Sequence, residues 1–267
     1  MRGILLGIQP VREGTLKAIA RSTLFREGAV RTIRLGPLRG RAFRVGPITG
    51  LSPWYSGAER PVQRVFQALV RSSDVVIDVG ANWGLHTLCL SGLVERSGRV
   101  IAMEPFPPAA EELEWHARRN GCDNVTILRA AAGPRDGTAF FRPGAAPTTG
   151  SLRRDGDPSS ASDVPTEVRA LDSVVREFSL RAVKLVKIDV EGGESMVLSG
   201  ARTLLREFRP YFVVELHAPE QDVAVAAELT GYGYRVSRIS GPPIQRIDVG
   251  WPDPAGVWGS ILATPMP

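Results

Sequence analysis

Cysteine is scarce in this chain: Cys89 and Cys122 are the only two among 267 residues. Two cysteines build neither a disulfide framework nor a thiolate metal centre. Cys89, inside an apolar stretch, is expected as a buried thiol. Long apolar runs are also missing, and none approaches the ~20 residues that a membrane-spanning helix needs. The first ten residues are apolar only in part (Ile4, Leu5, Leu6), too interrupted for a secretory signal. A cytoplasmic location and no membrane span are therefore expected. Lysine is rare as well, with 3 of the 33 basic residues, so arginine carries the positive charge throughout.

That charge is unevenly spread. Residues 1–71 hold 13 Lys/Arg and 3 Asp/Glu, a balance of +10; residues 72–267 hold 20 and 25, a balance of −5. A basic segment can attract nucleic acid or a phosphate-bearing partner. Aromatic residues do not interleave with the arginines, as a stacking surface for bases would require. A solvated basic surface is the simpler reading, and nucleic acid is not expected as a partner. The basic hairpin is a candidate surface for packing on a second subunit in a homo-oligomer.

What is present is an alternation of strand and helix patterns. A short amphipathic helix is expected at 15–26, a hairpin at 30–35 and 39–45, a loop at 46–57 and a helix at 59–71. These form an N-terminal extension, residues 1–71. From 72 to 267 strands are expected at 75–79, 99–103, 124–128, 184–188, 211–216, 233–239 and 257–263. Helices are expected at 83–94, 107–119, 170–178, 194–207 and 219–230. Strands 75–79 and 184–188 are nearly all apolar, as strands covered on both faces must be. The pattern predicts an α/β fold, a doubly wound, Rossmann-like parallel sheet. No helical pattern separates the final two strands, so the last should return antiparallel. Residues 142–165 are rich in Pro, Gly, Ser and Asp and predict a loop, either mobile or a lid over a substrate.

Two motifs carry chemistry. The first is Ile77-Asp78-Val79-Gly80-Ala81-Asn82-Trp83-Gly84, a strand running into a glycine-bearing turn and a helix. Ligands of such sheets sit beyond the carboxyl ends of the strands. Asp78 lies at that end, Gly80 leaves the turn open, Asn82 can cap the helix, and Gly84 allows close packing. The next strand ends at Glu104, whose carboxylate can accept two ribose hydroxyls. Gly-x-Asn-x-Gly differs from the dinucleotide fingerprint Gly-x-Gly-x-x-Gly and favours S-adenosylmethionine. A tight turn without a ligand is the competing reading. Ala130, Ala131 and Ala132 are small enough to flank an adenine ring, although alanine also simply packs well.

The second motif is Val186-Lys187-Ile188-Asp189-Val190-Glu191-Gly192-Gly193-Glu194. Its acids end the strand expected beside the first one, where a carboxylate can offset a sulfonium or accept a proton. Helix capping is the alternative. His217, at the end of the fifth strand, is a candidate general base. His86 is expected to be structural, and His116 to lie on an exposed helix. Asp189 and Glu215 could share a divalent ion, but no spacing demands one, and no metal is expected.

These motifs resemble the FkbM-type methyltransferases, over about residues 54–217. The resemblance implies a class I S-adenosylmethionine-dependent fold of seven strands and O-methylation of a hydroxyl on a small molecule, sugar or natural product. It carries Asp78, Gly80, Asn82 and Gly84 onto the first cofactor motif, Glu104 onto the ribose acid, and Asp189 and Glu191 onto the later signature. Gly193 stands where the family more often has Ala. The rivals are an RNA methyltransferase using the basic segment, a non-catalytic S-adenosylmethionine-binding module, and a nicotinamide dehydrogenase, which Leu85 in place of a third glycine disfavours.

Overall fold

The computed structural model describes residues 26–50, 52–55, 59–145, 149–153, 156–217, 219–239 and 259–267. The helix expected at 15–26 falls almost wholly outside them, as do Ser56 to Ala58 and the proline-rich stretch before the last strand. The central sheet contains β3 (Val75–Val79), β4 (Arg99–Met103), β5 (Val125–Leu128), β10 (Leu185–Ile188), β11 (Tyr211–Leu216), β12 (Tyr234–Arg238) and β13 (Gly259–Pro265). Its order is β12-β13-β11-β10-β3-β4-β5. All neighbours from β11 to β5 are parallel, and β13 runs antiparallel to both β11 and β12. This is the Rossmann-like, seven-stranded class I methyltransferase sheet with its reversed last strand.

Alternation along the strands divides the core in two. Ile77, Val79, Val186 and Ile188 face one apolar cluster; Val76, Val100, Leu185 and Val213 face the other. Lys187 and Asp78 break this apolar pattern. They are register partners on β10 and β3, both buried.

Three expectations fail. The stretch from 142 to 165 is not a plain loop. Its two ends and Gly150–Leu152 belong to a four-stranded sheet, β6-β9-β7-β8, formed by β6 (Ala130–Ala132), β7 (Gly137–Pro143), β8 (Gly150–Leu152) and β9 (Val164–Arg169). Turn-forming composition masked these strands, and β9 finds its partners in β7 and β6 more than 20 residues back. Arg142 donates to Asp163 at 2.8 Å and holds that carboxyl down at about 2, so the segment is pinned to its own sheet. The helix expected at 194–207 breaks into α5 (Glu194–Ser199) and a π-helical turn at Leu204–Phe208. Gly200 lies between them, and a Cβ there would fall 2.1 Å from the Gly133 carbonyl oxygen. The chain passes so close to the Gly133 backbone there that only glycine fits.

The third concerns the N-terminal segment. Strands β1 (Val30–Thr32) and β2 (Ala42–Arg44) form the expected hairpin, followed by α1 (Ser52–Tyr55) and α2 (Arg60–Leu69). The hairpin packs on α4 (Pro107–Arg119) of its own chain. Arg44 pairs with Glu112 at 2.7 Å, and the Asn120 side chain bonds both backbone groups of Ala42. His116, expected at the surface, is fully buried. Its Nε2 accepts the Arg44 backbone N–H at 3.0 Å, so Nδ1–H donates to the Trp83 carbonyl at 2.8 Å. Burial holds its pKa down. Phe43 is completely buried, edge-on to Trp83 and Trp54. Truncation of Phe43 to Ala should cost about 3–5 kcal/mol of stability, read by urea denaturation. A loss below ~1 kcal/mol would show that the hairpin adds nothing to the core.

Candidate active site

The turn after β3 is set by backbone crowding. Gly80 has φ +73°, and a Cβ on it would lie 1.8 Å from the Asp189 carbonyl oxygen. The neighbouring strand end thus requires glycine here. Gly84, at φ +96°, precedes α3 (Leu85–Val94), and its missing Cβ makes room for Leu113 of α4, not for the sheet. Asn82 does not cap α3 as expected. It adopts φ +50° within the turn, and its Oδ1 accepts the Trp83 N–H at 2.9 Å. Asp78 is fully buried beneath the turn, accepting the Thr87 hydroxyl at 2.6 Å.

Glu104 ends β4 and ties the two corners together. Its Oε2 accepts the Asn82 N–H and its Oε1 the Phe106 N–H, each at 2.8 Å. Burial raises its carboxyl to about 7 against the pull of those donors. It lies on a cleft of about 930 Å³, with Asn82 and Gly80 on one side and Ala130, Ala131 and Ala132 on another. Phe141 of the four-stranded sheet stacks on Phe106 at 5.7 Å, and both rings line the cleft.

A second, more polar cleft of about 710 Å³ adjoins the first. Gly80, Asn82, Asp189 and Glu191 line both. Beyond this junction stand Glu59, His86, Lys187 and Glu215. Lys187 is buried and reaches Asp189 at 3.1 Å, Asp78 at 3.5 Å and the Gly80 carbonyl at 3.1 Å. Burial alone would lower its pKa; Asp189 and Asp78 outweigh that, and the ammonium is held charged. Burial likewise opposes ionisation of Asp189, but Lys187 and His217 prevail and hold its carboxyl down. Glu191 moves the other way: burial and the neighbouring acids raise it. Glu191 also sits at φ +56°, a backbone conformation uncommon outside glycine. Burial and Asp189 push Glu215 up to about 7.

His217 donates from Nδ1 to the fully buried Glu194 at 2.8 Å. Burial disfavours its charge, but the bond to Glu194 and the nearby acids raise it to about 9. At neutral pH the imidazole therefore already carries its proton. His86 donates to Glu59 at 2.9 Å, which holds the Glu59 carboxyl down.

The Methyltransferase FkbM domain profile matches residues 78–236, more than half of the chain. The chain belongs to this family. The chain is similar to the hexuronic acid methyltransferase AglP of Haloferax volcanii, 27% identical over 194 residues, 72% of this chain and 77% of AglP. The 31-O-demethyl-FK506 methyltransferase FkbM of Streptomyces tacrolimicus is 30% identical over 195 residues, 62% of this chain and 75% of that enzyme. A crystal structure of methyltransferase FkbM from Methylobacillus flagellatus KT is similar with a TM-score of 0.46 at 19% identity. The match covers 75% of this chain and 50% of that one. Family membership makes the protein an S-adenosylmethionine-dependent methyltransferase.

Of the residues singled out in the FkbM motifs, the fold brings Gly80, Asn82, Glu104, Asp189 and Glu191 onto the cleft walls. Asp78 and Gly84 line neither cleft, and His217 stands behind the acids. Sequence reasoning gave no role to Lys187, Glu59, Phe106 or Phe141. For Lys187 a signal existed: a lone lysine inside an apolar strand, two residues before an acid. Phe141 carried none, because its sheet was not foreseen. Among the described residues, no helix is long and apolar enough to cross a membrane.

Proposed function

We propose that this protein transfers the methyl group of S-adenosylmethionine to a hydroxyl of a sugar or natural product. The observation that carries this reading is the junction of the two clefts at Gly80, Asn82, Asp189 and Glu191. The apolar cleft fits the cofactor: Glu104 for the ribose diol, the alanine run and Phe106 for the adenine. When bound, the cofactor supplies an electrophilic methyl group. The hydroxyl oxygen forms the new C–O bond as the C–S bond breaks, with its electron pair left on sulfur. Glu191 takes the hydroxyl proton. It reaches both clefts, and its raised pKa makes it a stronger base than Asp189. Lys187 fixes Asp189 as a charge at the junction. His217, already protonated, positions these acids.

Most of the acceleration comes from holding hydroxyl and methyl in line. The acceptor cleft presents Glu59, Asp189, Glu191 and Glu215 against Lys187. That balance favours a neutral polyol over an acidic sugar. The name of the Streptomyces relative supports oxygen as the acceptor atom. Arg41 and Arg44 bond within the chain, which weakens the nucleic-acid reading.

The test uses cofactor labelled in its methyl group with panels of neutral glycosides, uronides and macrolides. Label is expected in a neutral hydroxylated acceptor. In Glu191→Gln, kcat should fall about 10²–10⁴-fold with cofactor affinity within about twofold of wild type. Full turnover in that variant would remove Glu191 as the base. Cofactor binding without transfer to any acceptor would favour a non-catalytic binding module.

A further inference from the structure

We propose that Asp189, Glu215 and His217 form a divalent-cation site at the floor of the polar cleft. One ligand atom from each lies within 4.8 Å of the others. His217 Nε2 faces Asp189 Oδ1 at 3.5 Å, Glu191 Oε2 at 3.7 Å and Glu215 Oε1 at 4.0 Å. A ring N–H would normally close on one carboxylate at about 2.8 Å. This nitrogen instead stands at a similar remove from three. Ligand atoms about 2.0–2.4 Å from a shared ion lie roughly 3–4 Å from one another, and the imidazole nitrogen stands 3.5 Å from Asp189 and 4.0 Å from Glu215.

The imidazole is also oriented as metal-bound histidines are. Its Nδ1 donates to a buried carboxylate, Glu194, which fixes the ring and turns Nε2 toward the acids. A second observation points the same way. Glu194 Oε2 is buried with no hydrogen-bond partner, beside the imidazole that the other oxygen of the same carboxyl holds. Around His217 stand Asp189, Glu191, Glu194 and Glu215, while Lys187 is shared between Asp189 and Asp78. Two carboxylates and one imidazole suit an ion of the Mn²⁺ kind, which on binding would displace the proton that His217 Nε2 otherwise carries. Asp189, Glu191 and Glu215 line the polar cleft, so the ion would meet the acceptor. There, on the reading of the function given above, it would hold the hydroxyl and ease loss of its proton to Glu191.

The test is titration of the chelator-treated full chain with Mn²⁺, followed by calorimetry and by electron paramagnetic resonance of free Mn²⁺. One bound ion per chain is expected. Affinity should fall at least tenfold in Glu215→Gln and in His217→Asn, and about 10–100-fold in Glu194→Gln. Cofactor binding, measured on the same samples, separates the two readings, because it does not depend on the ion. Absence of saturable Mn²⁺ binding in wild-type protein would overturn the site, whatever the variants do. So would equal affinity in wild type and the folded ligand variants.

Discussion

A Glu104→Ala variant is expected to lose roughly 100-fold or more in affinity for S-adenosylmethionine. Two hydrogen bonds to a charged acceptor contribute about 1.5–3 kcal/mol each, and 1.4 kcal/mol is tenfold in Kd. The substitution also strips the Asn82 and Phe106 N–H groups of their acceptor. The turn that shapes the cleft thus loosens as the ribose clamp goes. The raised carboxyl gives this site a pH dependence. Below about 7 the free protein holds Glu104 protonated, and it must release that proton to accept both ribose hydroxyls. Kd should therefore fall as pH rises from 6 to 8, and the trend should vanish in Glu104→Ala. Calorimetry across that range checks both. An affinity within twofold of wild type, with an unchanged pH profile, would remove Glu104 from the ribose.

Gly80→Ala is expected to destabilise the protein by about 2–5 kcal/mol. A left-handed backbone costs a residue with a Cβ roughly 1–2 kcal/mol. Forcing overlapping atoms apart in a packed core costs about 1–3 kcal/mol more. The added methyl would sit 1.8 Å from a main-chain oxygen, which cannot swing aside as a side-chain tip can. Relief requires moving the end of β10, and Asp189 with it, so methyl transfer should fall even in the folded fraction. Gly121→Ala is the control: its φ is +61° and no atom lies within 4 Å of the added methyl. It should lose only the backbone cost. Equal midpoint shifts for the two variants in urea would show that the approach of Asp189 is not what demands glycine at position 80.

Both variants touch positions legible in the sequence, though for partly different reasons than the sequence suggested. Gly80 was conspicuous because a strand ends there, but its neighbour is the Asp189 carbonyl. Asn82 looked like a helix cap, yet the helix starts at Leu85 and Asn82 shapes the turn. His217 looked like a base because it ends a strand. Its raised pKa appears only once Glu194 and the other acids are seen around it. Phe141 and the sheet that carries it were hidden by turn-rich composition.

The sequence by itself determined the order of the seven strands of the central sheet, its apolar covered strands, the reversal of its last strand, and the acids and glycines at its carboxyl edge. Each is written in side chains only a few positions apart, where period and turn chemistry act directly. Tertiary structure alone decided that Lys187 lies between Asp78 and Asp189, that the N-terminal hairpin completes the core through Phe43 and buries His116, and that two clefts meet between Asn82 and Glu191. Those facts depend on which distant segments come into contact and on how much water and charge remain there after packing. No local pattern of residues carries that information.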